Sequence, residues 1–200
     1  MPLSLAERVL QASYSHMPLG QAGAQRGLSR SFTAALNVFQ AKYPAPNLLP
    51  RPPSGPGSQG GKVALLLIDL DNFKLVNDFL GHQGRDRVLR EVAERLKRCL
   101  GEADTAARIG GDELAVLLDD VADASGAVRL AHRFHAQLRV TFDVAEYRFY
   151  TSATIGIAVA AREPPEKLVR AADLAMYQAK RTGKGRSVVF DPSSITDSST

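Results

Sequence analysis

Among its 200 residues the chain has one cysteine, Cys99, no tryptophan, and 6% aromatic residues. A single thiol cannot close an intrachain disulfide or build a Cys-rich metal centre, so Cys99 reads as a helix-surface or core filler. Stacked aromatics set among basic clusters are missing, which disfavours nucleic acid as a partner. No apolar run is long enough to span a bilayer, and the amino terminus lacks the basic-then-apolar order of a secretory signal. The expectation is a cytoplasmic protein with no membrane segment. His132 and His135 stand three apart in an expected helix, but no acid or cysteine joins them at ligand spacing, so they read as a solvated face. The net charge of +4 fits an anionic ligand, although the basic residues are too scattered to choose one.

With 44% apolar residues, the chain has enough length for one domain with a proper core plus an appendage. It is organised around Ile109-Gly110-Gly111-Asp112-Glu113-Leu114. The paired glycines predict a tight turn with positive φ, and Asp112 and Glu113 are delivered at its exit, where an apolar strand begins. Adjacent carboxylates repel and raise one pKa unless a cation lies between them, so the pair points to a metal or to proton transfer. A second acidic strand end lies upstream: Val63 to Ile68 is a continuous apolar run, as in a strand buried on both faces, and it breaks into Asp69 and Asp71. Hard oxygen ligands from two elements suit Mg²⁺ engaged with phosphates.

In chain order, Leu3 to Ser13 predicts a short amphipathic helix, and Phe32, Ala35, Leu36 and Phe39 a second one with Ser29 or Ser31 as N-cap. Tyr43 to Gly61 is rich in Pro, Gly and Ser and reads as a linker. Asn72 to Phe79 predicts a short helix stopped by Gly81, and Val88 to Leu100 a longer one. The flanks of the glycine pair predict hairpin strands, Thr105 to Ile109 and Leu114 to Leu118. Leu130, Ala131, Phe134 and Leu138 mark another helix, Phe142 to Tyr150 and Thr151 to Ala160 two strands, and Pro164-Pro165 opens a helix ended by Gly183. Ser187 to Phe190 predicts a last strand. The sum is an α+β fold, a largely antiparallel sheet covered by helices. The expected division is a helical segment and linker over 1–61, a catalytic domain over 62–191, and a disordered tail over 192–200.

These motifs together resemble the GGDEF domain, the catalytic domain of diguanylate cyclases. The resemblance runs from Lys62 to Asp191 and rests on Ile68-Asp69-Leu70-Asp71-Asn72-Phe73-Lys74, Asn77-Asp78, Gly81-His82, Asp86, the glycine-acid turn, Ala172 to Lys180, and Gly183-Lys184. It implies a nucleotidyl-cyclase palm and an enzyme that joins two GTP into cyclic di-GMP. It also implies Mg²⁺ (or Mn²⁺) as cofactor and a homodimer, at least transiently, since each protomer holds one GTP. Asp69 and Asp112 would be metal ligands, with the Leu70 carbonyl beside them, and Glu113 would bind metal or help take the ribose proton. The amides of Asn72, Phe73 and Lys74 would cradle phosphates, Asn77 and Asp86 would read guanine, and Lys180 and Lys184 would meet the triphosphate. Leu114 replaces the family's usual phenylalanine, which a core position tolerates. The inhibitory product site needs Arg-x-x-Asp before the hairpin, and here the segment is Gly101-Glu102-Ala103-Asp104. The alternative is a degenerate module that binds GTP and regulates a partner without turnover.

Overall fold

The structure, a computed structural model, describes residues 61–144, 146–161 and 163–192, and of Asn77 the backbone alone. The two expected amino-terminal helices, the linker up to residue 60 and the tail from residue 193 lie outside the described residues. The elements are β1 (Lys62–Leu70), α1 (Phe73–Lys97), β2 (Thr105–Arg108), β3 (Glu113–Val121), α2 (Ser125–Leu138), β4 (Phe142–Val144), β5 (Tyr147–Phe149), β6 (Ala153–Ala160), α3 (Pro165–Arg181) and β7 (Ser187–Val189). Five strands form one sheet in the order β2-β3-β1-β6-β7, antiparallel except for the parallel pair β6–β7. Among the described residues no helix is long and apolar enough to cross a membrane.

β1 is the middle strand, and its unbroken apolar run follows from having helices on both sides. Ala64, Leu66, Ile68 and Leu70 pack with Val88, Val92 and Leu96 of α1 and Leu130 and Phe134 of α2. Val63, Leu65 and Leu67 point the other way, onto Leu168, Val169, Ala172 and Met176 of α3. Each fully buried aliphatic side chain contributes about 1.5–3 kcal/mol, so both faces of the sheet, one under α1 and α2 and the other under α3, hold a helical layer in place. α3 sits directly on β6 at Gly156, where a Cβ would come within 2.1 Å of the Ala172 carbonyl oxygen and 2.4 Å of the Met176 nitrogen.

The two helices expected between Asn72 and Leu100 are present, numbered together as α1, and they meet at Gly81, whose φ of 63° and ψ of −174° are not helical. Three other sequence expectations change in detail. Phe142 to Tyr150 is not one strand but a two-stranded ribbon, with Phe142 opposite Phe149 and Val144 opposite Tyr147. Cys99 lies just beyond the end of α1 and is buried, so it fills core space outside a helix. His135 does not belong to a solvated face: its ring is partly buried on α2, and Nε2 is enclosed without a hydrogen-bond partner.

Burial pushes the His135 imidazole below its ordinary pKa, and the neighbouring His132 and Arg139 push it the same way, against a weaker pull from Asp71. The folded state thus favours the neutral ring. As pH falls below the unfolded value of about 6.5, the unfolded chain binds a proton that the folded chain resists, so stability is lost on the acid side. Denaturant titrations at pH 7.5 and 5.5 should show a smaller loss for His135→Gln than for the unaltered chain. Equal losses would contradict this reading of His135.

Arg95, on α1, is a buried charge whose groups are well matched. Its guanidinium donates to the carbonyl oxygens of Gln137 at 2.8 Å and Thr141 at 2.7 Å and to that of Val140, and it pairs with Glu91. It also lies 3.7 Å above the Phe142 ring, which stacks on Phe149 at 5.6 Å. One side chain thereby fastens α1 to the end of α2 and to the β4–β5 ribbon.

Candidate active site

The site forms where β1 ends against the start of β3. Asp69 stands opposite Glu113 in the antiparallel register, and the Leu70 N–H donates to the Asp112 carbonyl oxygen at 3.1 Å. The acidic end of β1 and the acidic start of β3 are therefore neighbours at the same end of two adjacent interior strands. Lys180, in the last turn of α3, donates from Nζ to Asp69 Oδ2 at 2.9 Å. Burial raises the Asp112 pKa and the Asp69 charge raises it further, while Lys180 and Arg85 oppose the shift. Lys180 also lowers the pKa of Asp173, which burial raises more strongly. Lys180 is thus bonded to Asp69 and acts on Asp112 and Asp173 through its charge, and Asp173 had no role in the sequence reading.

The glycine pair works differently from expectation. Among the described glycines only Gly61, Gly81, Gly183 and Gly185 have positive φ, so neither Gly110 nor Gly111 needs that freedom. Space is what both supply. A Cβ on Gly110 would meet Glu113 Oε2 at 2.3 Å, and one on Gly111 would meet Arg85 Nη2 at 3.2 Å. The Glu113 carboxylate is thus turned over Gly110. Among the described residues no group of three or more His, Cys, Asp or Glu side chains gathers at metal-binding spacing.

Asp71 is not a partner of Asp69 in the acidic group. It is buried, accepts from Ser152 Oγ at 2.6 Å and Thr154 Oγ1 at 2.7 Å, and donates its N–H to the Ser152 carbonyl at 2.8 Å. These bonds satisfy its charge and pin the turn from β1 into α1. Asn72 then adopts φ 55° as N-cap, and Phe73, buried at 3% exposure, anchors the first helical turn. The amides of Phe73 and Lys74 are at the helix start, where orphan N–H groups and the dipole favour an anion. Lys184, beyond α3, reaches Asn72 Oδ1 at 3.3 Å, so both lysines converge on the loop and acids.

Asp86 is exposed on α1 and lines a recess of about 570 Å³ with Phe79, Leu80, Gln83, Arg90 and Tyr147, to which neither Asp69 nor Asp112 contributes. Asn77 lies on α1, and its side chain is outside the described residues. Leu114 is buried in the core, as an apolar replacement there requires. Asp104 accepts the Gly101 N–H at 2.7 Å, which folds its carboxylate back on its own turn.

Asp69 and Asp112 suit a hard divalent cation: they offer only oxygen, they repel each other, and an ammonium has already been drawn to one of them. The Leu70 carbonyl and Glu113 belong to the same strand ends. Sequence reasoning missed Arg85, whose Nη2 donates to the Gly111 carbonyl at 3.0 Å. An arginine on a helix beside an aspartate carries no pattern that separates it from a solvated face.

Comparison with known proteins places this geometry. The family model for "Diguanylate cyclase, GGDEF domain" matches residues 55–186. The chain is 38% identical over 137 residues to the cyclic di-GMP phosphodiesterase PdeR of Escherichia coli, covering 68% of this chain and 21% of PdeR. It is 42% identical over 127 residues to the diguanylate cyclase TpbB of Pseudomonas aeruginosa, covering 62% of this chain and 29% of TpbB. The response regulator PleD of Caulobacter vibrioides is 41% identical over 130 residues, which cover 62% of this chain and 28% of PleD. The chain thus spans less than a third of these three relatives. Among solved structures, an EAL/GGDEF domain protein from M. capsulatus superposes with a TM-score of 0.61 at 41% identity, covering 66% of this chain and 86% of that one. The GGDEF domain of TpbB gives 0.61 at 34% identity, covering 81% and 91%. The sheet, the acid-bearing turn after β2 and these matches agree: the chain belongs to the GGDEF domain family, that of the diguanylate cyclase catalytic domain.

Proposed function

We propose that the chain is a diguanylate cyclase, which condenses two GTP into cyclic di-GMP and two pyrophosphates. The observation that carries this reading is the meeting of Asp69 and Asp112 at the adjoining ends of β1 and β3, with Lys180 held on Asp69 and Lys184 beside Asn72. In each of two steps a ribose 3′-hydroxyl oxygen bonds to the α-phosphorus of the facing nucleotide, the bond from that phosphorus to the pyrophosphate oxygen breaks, and the hydroxyl proton leaves. Asp69, Asp112 and the Leu70 carbonyl would hold Mg²⁺ or Mn²⁺. Such an ion, when bound, neutralises phosphate charge and lowers the pKa of the attacking hydroxyl. Glu113 would share that ion or take the hydroxyl proton. The amides of Asn72, Phe73 and Lys74 cradle phosphates, while Lys180 and Lys184 act on the triphosphate as point charges. Asn77 and Asp86 read guanine, with the carboxylate accepting from the ring N–H and amino group.

Because each chain supplies one nucleotide, two chains must face each other, and the enzyme works as a homodimer at least transiently. Leu5, Val9, Phe32 and Leu36, outside the described residues, are the candidates for a standing contact. A second reading, a GTP-binding module that regulates a partner without turnover, is favoured by one observation: the Glu113 carboxylate turns over Gly110. Incubation with GTP or with ATP in the presence of Mg²⁺, with products resolved by chromatography, decides between them. Cyclic di-GMP from GTP and no product from ATP is expected; bound but unconverted GTP would establish the second reading.

Feedback should be weak. Gly101 stands where an inhibitory product site needs arginine, and a guanidinium fork cannot be replaced there by the self-bonded Asp104. Added cyclic di-GMP should inhibit only by competition and lose its effect at saturating GTP. Inhibition that persists at saturation would show a product site elsewhere.

A further inference from the structure

Arg85 links two parts of the site that lie 26 residues apart in the chain. It precedes Asp86, the proposed reader of the base, and its Nη2 donates to the carbonyl oxygen of Gly111, the residue before Asp112, at 3.0 Å. Arg108 Nη2 donates to the same oxygen at 2.8 Å, and Arg108 Nε to the Gly110 carbonyl at 2.9 Å. Both lone pairs of one carbonyl are thereby used by guanidinium groups, which brings two positive charges to a turn that carries two acids. The two bonds have different consequences. Arg108 ends β2, so its bonds close the hairpin on itself. Arg85 comes from α1, after the bend at Gly81, so its bond fixes the turn against a different element. The guanidinium lies close over the turn: a Cβ on Gly111 would stand 3.2 Å from Arg85 Nη2, and the arginine would have to give way by a few tenths of an ångström.

We propose that Arg85 is a positioning residue: it holds the acid-bearing turn at a fixed distance from the base-reading stretch of α1, so that Asp112 and Glu113 meet the ribose and α-phosphate of a nucleotide whose base is held at Asp86. This rests on the reading of the site as a GTP site. Its physical basis is that neither Asp69 nor Asp112 lines the recess containing Asp86. The Arg85 bond is a direct link between the part of α1 that carries Asp86 and the turn that carries Asp112. A misplacement of about 1 Å at reacting atoms lowers a rate on the order of a hundredfold, whereas a half-exposed arginine-to-carbonyl bond adds little to global stability.

The test compares the full chain with Arg85→Gln and Arg85→Lys. In Arg85→Gln the amide shortens the reach and removes the charge, and kcat should fall about tenfold or more. KM for GTP should change by less than about threefold, because binding groups are untouched. The melting temperature should hold, and amide exchange over residues 109–113 should quicken. Arg85→Lys, which still donates from a charged group, should recover part of kcat. A raised KM with kcat preserved would make Arg85 a substrate contact and overturn the proposal. Unchanged exchange in Arg85→Gln overturns the tether by itself, whatever the activity. A chain that makes no cyclic dinucleotide before any substitution overturns the reading of the site instead, and the exchange result remains to judge the tether separately.

Discussion

Asp112→Asn should abolish most of the turnover, lowering the rate of cyclic di-GMP formation by about a hundred- to a thousandfold or more, and Asp69→Asn should do the same. Asparagine keeps the volume and loses the charge that a divalent cation needs. Stability should move the other way for Asp112. Burial and the Asp69 charge raise its pKa in the folded chain, so at neutral pH the ionised carboxylate is a cost that folding bears. Asp112→Asn removes that cost, and its denaturation midpoint at pH 7 should equal or exceed that of the unaltered chain. Asp69→Asn loses the bond to Lys180, a pair with 20% and 34% exposed side chains, which is worth no more than about 1 kcal/mol. A separation of activity from stability is therefore the signature. Near-normal product formation by either variant, or unfolding of Asp112→Asn, would contradict the assignment.

The largest loss of stability is expected at Arg95. Arg95→Ala removes the guanidinium from the carbonyls of Val140 and Thr141 and from that of Gln137, which keeps the Val140 N–H, leaves Glu91 without its partner, and uncovers the Phe142 ring. Glu91, with a 34% exposed side chain, keeps water, so the loss is mainly that of hydrogen bonds to a charged group, about 1.5–3 kcal/mol, against a total of about 5–15 kcal/mol for a typical domain. Arg95→Lys should rescue little, because one ammonium cannot bond a row of carbonyls and lie flat on an aromatic ring. Urea titration followed by circular dichroism measures both. A loss under about 1 kcal/mol for Arg95→Ala would mean that the network is not cooperative.

What the sequence made legible follows from how the physics is written in it. β1 was legible because a middle strand with helices on both faces must be apolar at every position, and its sudden end at Asp69 marks where the sheet meets water. The helices α2 and α3 carry their buried faces at helical spacing. Asp71 was misread because its identity as a structural acid is set by Ser152 and Thr154, which the fold brings from 81 and 83 residues away. Gly110 and Gly111 were given the right residue type for the wrong reason: a sequence does not separate a glycine kept for positive φ from one kept for a close neighbour. The β4–β5 ribbon was read as one strand because apolar and polar residues alternate on both sides of its turn. Arg85 and Arg95 look alike as helix arginines. One is half-exposed over the acid-bearing turn and the other 4% exposed beneath a ribbon, and only tertiary contacts tell them apart.

The most direct test of the central claim is the rate of cyclic di-GMP formation from GTP as Mg²⁺ is titrated, measured on the full chain. The account predicts no product without the cation, a saturable rise as it is added, and two pyrophosphates released for each cyclic dinucleotide. GTP that binds but yields no product at any Mg²⁺ or Mn²⁺ concentration would contradict it.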